Sequence, residues 1–225
     1  MLQEKKVGEL VTENIKTAHV FKKYGIDFCC GGGISIAKAC EVNDVNKDAL
    51  LADLEEVGQN TDRTLNYDSW DTGFLVQHIE NVHHTYVKEA TPMILEYAAK
   101  VDSVHGHAYP ELKQIHLLFQ GLAADLLMHL KKEEHVLFPA VRELIERGGA
   151  AGMILHPVAI MEREHEIAGD MMAKIRDLSN NYTPPKEACN TYRALYSKLE
   201  EYEEDLHLHV HLENNILFNR LRQMQ

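Results

Sequence analysis

His129-Leu130-Lys131-Lys132-Glu133-Glu134-His135-Val136-Leu137-Phe138 and His209-Val210-His211-Leu212-Glu213-Asn214-Asn215-Ile216-Leu217-Phe218 lie eighty residues apart and align without a gap. Both read H-[LV]-x-x-E-x-x-[VI]-L-F. On a helix, residues four apart stand one above the other, so each copy presents an imidazole and a carboxylate on a single face. One such pair is a weak signal, because a half-exposed His beside a solvated Glu is common on helix surfaces. Two copies with the same apolar tail predict two helices that turn the same donor pair into one interior.

Four long amphipathic segments surround the repeat, drawn at 71–99, 110–146, 153–178 and 184–222 from apolar residues recurring at three and four. Pro110 and Pro184-Pro185 sit where helices begin, and Gly148-Gly149 where one ends. Pro92, Pro139 and Pro157 predict kinks or earlier ends. Before them come shorter helical segments at 8–24, 35–41 and 46–57, interrupted by Gly25, Gly31-Gly32-Gly33 and Gly58. The polar run Gln59-Asn60-Thr61-Asp62-Arg63-Thr64 reads as a linker. The expected organisation is all-α: a small helical cysteine-containing domain (1–60), a linker (61–72) and an up-down four-helix bundle (73–225).

The 225 residues carry 23 Lys and Arg against 35 Asp and Glu, a formal charge of −12, with 14 His counted as neutral. This acidity, without clustered Lys and Arg, excludes nucleic acid as a general partner. No run approaches the ~20 apolar residues of a membrane span, and the start MLQEKKVGEL lacks the apolar core of a signal peptide, so the expected location is the cytoplasm, with no membrane partner.

The other two long helices each offer a His without the paired Glu: His84 and His165. Four His (His84, His129, His165, His209) and two Glu (Glu133, Glu213) in one bundle can hold two metal ions, two His apiece, with both carboxylates spanning between them. Such nitrogen and oxygen donors suit Fe or Mn, with Zn as a further option; the absence of Cys argues against Cu(I) and a thiolate zinc site. His83 replaces His84 if the register is off by one. His207 and His211 form another four-apart pair, on the face away from His209 and Glu213. His105 and His107 lie in the first connection, where they can cover the end of the site. Asp125 and Glu164 are candidates to accept the imidazole N–H turned away from the metal.

These residues carry a resemblance. Residues 73–225 resemble a hemerythrin-like domain, and Gly25-Ile26-Asp27-Phe28-Cys29-Cys30-Gly31-Gly32 resembles the small cysteine-bearing domain that precedes it in the di-iron iron-sulfur cluster repair proteins. The resemblance implies two non-haem irons, carboxylate-bridged by Glu133 and Glu213 and ligated by His84, His129, His165 and His209, with His105 as an auxiliary ligand. It implies repair of iron-sulfur clusters damaged by oxidative or nitrosative stress, by iron supply. Damaged iron-sulfur proteins are then the partners, NO or O2 a reactant, and a homodimer is admitted. The alternatives are a diatomic-gas reductase acting on nitric oxide and a hemerythrin-like O2, NO or iron sensor.

Of four Cys, at 29, 30, 40 and 189, the adjacent Cys29 and Cys30 in their Gly-rich segment are expected to sit where backbone N–H groups lower a thiol pKa, with a redox or transfer role. Adjacent residues close only a strained ring, so a stable disulfide between them is not expected. Cys40 and Cys189 read as core thiols.

Overall fold

A computed structural model describes residues 2–58, 65–149 and 151–224. The linker run 59–64 therefore lies outside the described residues, as do residues 1 and 60 of the expected first unit. The described residues are helical, with one isolated antiparallel bridge between Lys6 and Ser35. Four short helices come first: α1 (Val7–Glu13), α2 (Thr17–Lys23), α3 (Ile36–Asn43) and α4 (Lys47–Gly58). The segment drawn as one helix over 8–24 is two. Asn14 takes an extended conformation, its side chain accepts the Lys16 amide at 3.1 Å and its carbonyl accepts the Thr17 amide at 3.0 Å, a local turn that outcompetes the helical ladder.

Four long helices follow. α5 (72–105) runs from Thr72–His78 through a wide π-type turn, Ile79–His84, into Thr85–His105. α6 (111–147) joins Glu111–Lys132 to Phe138–Arg147 through a second such turn, Glu133–Leu137. α7 is Leu155–Leu178, and α8 (190–223) passes Asn190–His211 and a third π-type turn, Leu212–Leu217, to Phe218–Gln223. Asp71 caps α5 by accepting the Gly73 and Phe74 amides at 2.8 and 3.2 Å. α5 continues past the expected end at 99 because Ala98 and Val101 extend its buried stripe. α8 starts later than Pro184: Asn180, Asn181 and Tyr182 all adopt positive φ, and the chain turns again at Pro185, whose carbonyl accepts the Ala188 amide, before the helix can begin.

The prolines do not end the helices. Pro92 lies on the exposed side of α5, Pro139 follows a π-type turn that has already displaced the ladder, and Pro157 occupies the first turn of α7.

α5 packs on α6 and α8, and α7 packs on α6 and α8, closing an antiparallel four-helix ring. Its interior has two apolar layers. One holds Ile94, Phe119, Met172 and Leu199 and continues without a break into Phe21, Ile36 and Leu50 of α2, α3 and α4. The other holds Ile79, Phe138, Val158 and Phe218 at the opposite end. On every long helix the inward His or Glu falls where the chain leaves one layer for the other. No helix among the described residues is long and apolar enough to cross a membrane.

Candidate metal centre

Between the layers, two four-residue groups overlap. One donor atom each from His84, Glu133, His209 and Glu213 lies within 4.8 Å of the other three, and the same holds for His129, Glu133, His165 and Glu213. Both groups use the same two carboxylates. Glu133 stands 3.3 Å from both His84 Nε2 and His129 Nε2; Glu213 stands 3.1 Å from His165 Nε2 and 3.2 Å from His209 Nε2. All six side chains are buried, both Glu at 0 % exposure. The π-type turns matter here. His84 ends the first, Glu133 opens the second and Glu213 lies in the third, so each departure from the regular helical ladder falls at a residue of the cluster.

Contacts from other helices fix which ring nitrogen faces inward. His84 Nδ1–H donates to Glu134 at 2.8 Å, His129 Nδ1–H to Glu164 at 2.9 Å and His165 Nδ1–H to Asn214 Oδ1 at 2.8 Å. Each such bond leaves Nε2 as the lone-pair nitrogen directed at the carboxylates. His165 Nε2 and His129 Nε2 are 3.0 Å apart. Two lone pairs at that separation repel unless a proton or a cation stands between them. Among the described residues, both oxygens of Glu133 and of Glu213, and Nε2 of His84 and His209, are buried without a hydrogen-bond partner. Buried polar atoms left in that state cost free energy, and a cation satisfies all of them together.

The electrostatics agree. Burial opposes an imidazolium at His129, but the Glu133 and Glu213 carboxylates outweigh it and raise its pKa to about 9. Burial and the facing Glu213 push Glu133 up, and the neighbouring imidazoles more than reverse this, holding it below the usual carboxylate range. Glu213 is held further below, as His209 and His165 overcome its burial. The cluster attracts positive charge and lacks only the choice between protons and metal.

The structure answers the open alternatives. His83 is buried but donates Nδ1–H to Asp205 at 2.8 Å and stacks on His209 with ring centroids 5.5 Å apart; it does not join the cluster. His207, half-buried, and His211, buried, lie on the other face, edge-on to Phe28. His105 is a correction. It ends α5, twenty-one residues and about 32 Å of helix beyond His84, and its Nε2 is 3.3 Å from Cys189 Sγ. Cys189 is exposed and not a core thiol, whereas Cys40 is buried. Asp125 is exposed and Glu164 takes the N–H of His129, a helix away from its own neighbour His165. Glu134 and Asn214 escaped the sequence reading, although each directly follows the repeated Glu.

Cys29 and Cys30 lie in the loop between α2 and α3, where Gly25 (φ 67°) reverses the chain after α2. Their thiols are 3.9 Å apart, and donor atoms of Asp27, Cys29 and Cys30 lie within 4.8 Å of one another. The expected low thiol pKa is reversed at Cys29. Asp27 takes the amides of Cys29, Cys30 and Gly31 at 2.9, 3.0 and 2.8 Å, so these N–H groups serve a carboxylate rather than a thiolate. The Cys30 thiol, burial and the Asp27 charge then push the Cys29 thiol well up. The loop rests on α8, where Asn215 Nδ2 donates to the Cys29 carbonyl at 3.0 Å.

Comparison with known proteins follows this division. Residues 3–58 match ScdA_N, described as a domain of unknown function, and residues 75–221 match the hemerythrin HHE cation binding domain. Similar proteins include the iron-sulfur cluster repair protein ScdA of Staphylococcus haemolyticus, 35% identical over 95% of this chain and 96% of the relative. The iron-sulfur cluster repair protein YtfE of Citrobacter koseri is 32% identical over 97% of this chain and 96% of its own length. A probable iron-sulfur cluster repair protein of Haemophilus influenzae is 33% identical over the same shares. The chain thus belongs to the family that joins an ScdA_N segment to a hemerythrin HHE cation-binding bundle, the family of these repair proteins.

Proposed function

We propose that this chain holds two non-haem irons and supplies iron to iron-sulfur clusters damaged by oxidative or nitrosative stress. His84 and His209 hold one ion, His129 and His165 the other, and Glu133 and Glu213 bridge them. The observation that carries this reading is the sharing of one carboxylate pair by two otherwise separate groups. The donors are imidazole nitrogens and carboxylate oxygens, a set that suits iron or manganese over softer metals. Bound iron in such a site supplies an exchangeable cation with room for a small ligand, unlike a closed thiolate cage. The names of the relatives support the repair role and point to damaged iron-sulfur proteins as partners. The protein part of the work is to orient the Nε2 atoms of His84, His129 and His165 through their Nδ1 partners, to exclude water between two apolar layers and to exchange protons for metal.

Cys29 and Cys30 are proposed as the transfer or redox pair. They flank a polar cleft of about 490 Å³ that also reaches Asn214 and Glu166. The raised pKa of the Cys29 thiol means that a thiophilic ion must displace a proton to bind it. The residue ranges 1–60 and 73–225 are proposed as the two functional parts, with the repair chemistry in the second.

The test is reactivation of a damaged iron-sulfur enzyme by the anaerobically iron-loaded chain. Glu133→Leu/Glu213→Leu is expected to fail, and equal reactivation by that variant would refute iron supply from this centre. A second reading, reaction with nitric oxide, is favoured by one feature: a recess of about 240 Å³ beside His129, lined by Leu122, Leu126, Ile167 and Met171 with Asp125, Lys132 and Glu164 at its polar side. Catalytic consumption of nitric oxide with N2O released over many turnovers, given an electron donor, would establish it.

A further inference from the structure

Glu134 and Asn214 fill the same place in the two copies of the repeat, one residue beyond Glu133 and Glu213. Each takes the Nδ1–H of an imidazole on another helix at 2.8 Å, Glu134 from His84 and Asn214 from His165. Their chemistry differs. Glu134 only accepts, and Lys88 stands against its charge at 2.6 Å. An amide accepts and donates at once. Asn214 uses its second function on the Cys29 carbonyl, to which Nδ2 donates at 3.4 Å beside the bond from Asn215. A single side chain thus stands between the backbone of the thiol loop and the imidazole of His165.

We propose that Asn214 is a positioning residue that couples the Cys29–Cys30 loop to His165, so that displacement of the loop changes how firmly the His129–His165 pair holds its metal. This rests on the two-metal reading above. A carboxylate at 214, as at 134, would orient His165 equally well but could not hold a carbonyl. The loop itself is a tight unit, because the Asp27 carboxylate gathers three consecutive amides. It also lies beside the helix that carries His165: Cys30 Sγ is 4.0 Å from where a Cβ on Gly169, one turn beyond His165, would stand. Displacement of the loop alters the bond from Asn214 to the Cys29 carbonyl. The effect is directed at one of the two metal positions, since the His84–His209 pair has no comparable contact with the loop among the contacts described.

The experiment loads five full-length chains with ferrous iron anaerobically: native, Asp27→Ala, Asn214→Asp, Asn214→Leu and the Asp27→Ala/Asn214→Asp double variant. Iron release to an excess of a ferrous chelator is then followed. Asn214→Asp keeps the acceptor for His165 and is expected to release iron no faster than the native chain, whereas Asn214→Leu, lacking both functions, releases one iron about 10–100-fold faster. Asp27→Ala, which frees the loop, is expected to speed release of one iron about 10-fold in the native background and less than about twofold beside Asn214→Asp. An equal effect of Asp27→Ala in both backgrounds overturns the coupling. A second measurement uses the metal-free chains and nitrogen NMR of the His165 ring. Asp27→Ala should shift the Nδ1 resonance in the native background and leave it in place beside Asn214→Asp. No shift in the native background overturns the proposal whatever the iron results. A native chain that takes up fewer than two irons refutes the two-metal reading instead, and the NMR comparison still decides the coupling.

Discussion

Glu164 accepts the Nδ1–H of His129 at 2.9 Å, so an acid on α7 steers an imidazole on α6. Lys132 pairs with the other oxygen of the same carboxylate. Removing an acceptor of this kind frees the ring to rotate and weakens its Nε2 as a donor, at a cost of about 10–100-fold in metal affinity. Glu164→Ala is therefore expected to lower iron affinity by that factor in a competition titration. Asp125→Ala, at the exposed acid one turn before His129, should leave it unchanged; a loss as large as that of Glu164→Ala would show that the wrong carboxylate has been identified.

The shared carboxylates make metal content a sharp readout. His84 serves one group and Glu133 serves both. After anaerobic loading, His84→Ala should retain the iron of the His129–His165 group at native affinity, whereas Glu133→Ala, which takes a donor from both groups, should weaken both positions. A competition titration with elemental analysis distinguishes these cases, and one iron retained by Glu133→Ala at native affinity would show that Glu133 does not serve both groups.

The metal-free protein should have a stability optimum near the ordinary histidine pKa, with a separate cause on each side. His129 is raised to about 9 from 6.5 when folded, by carboxylates that outweigh its burial. Its contribution is thus complete below pH 6.5 and disappears as pH rises through 9. His207 and His211 are lowered to about 4, in both cases chiefly by burial. Below 6.5 the unfolded chain takes up protons that these two refuse when folded, so stability falls as pH drops from 6.5 toward 4. Urea unfolding across pH should show both slopes; His129→Gln should flatten the alkaline one and His211→Gln the acid one.

Phe28 holds the thiol loop to the bundle by meeting His207 and His211 edge-on, with ring centroids 5.8 and 6.0 Å away. It is buried in the same apolar layer as Ile94 and Leu199. Phe28→Ala should cost about 3–5 kcal/mol, the usual range for a buried Phe. A loss below about 1 kcal/mol in equilibrium unfolding would mean that α1–α4 sit on the bundle without sharing its core.

Much of this was open to reading along the chain. The four long helices follow from apolar periodicity, and the six inward residues from two copies of one spacing plus two isolated histidines. The misses have local and distant causes. The break at Asn14 and the late start of α8 come from turns whose hydrogen bonds involve side-chain and backbone geometry that periodicity ignores. His105 looked close to the site because it was placed in a connection; it is in fact the last turn of a helix too long to return. The expected low pKa does not hold at Cys29 because the Cys30 thiol and burial raise it, while Asp27, two residues away, takes the backbone amides that would favour a thiolate.

The sequence by itself determined which residues share a face, because a separation of four on a helix is a local property of the backbone. It determined that the His–Glu spacing of 129 and 133 recurs at 209 and 213, with no thiol in that set. Only the tertiary structure decided which nitrogen of each ring turns inward, since the partners of His84, His129 and His165 arrive from other helices, 50, 35 and 49 residues away. It also decided that the cysteine loop meets the site through Asn214. Such contacts depend on how helices pack, and packing is set by the whole core rather than by any one stretch of chain.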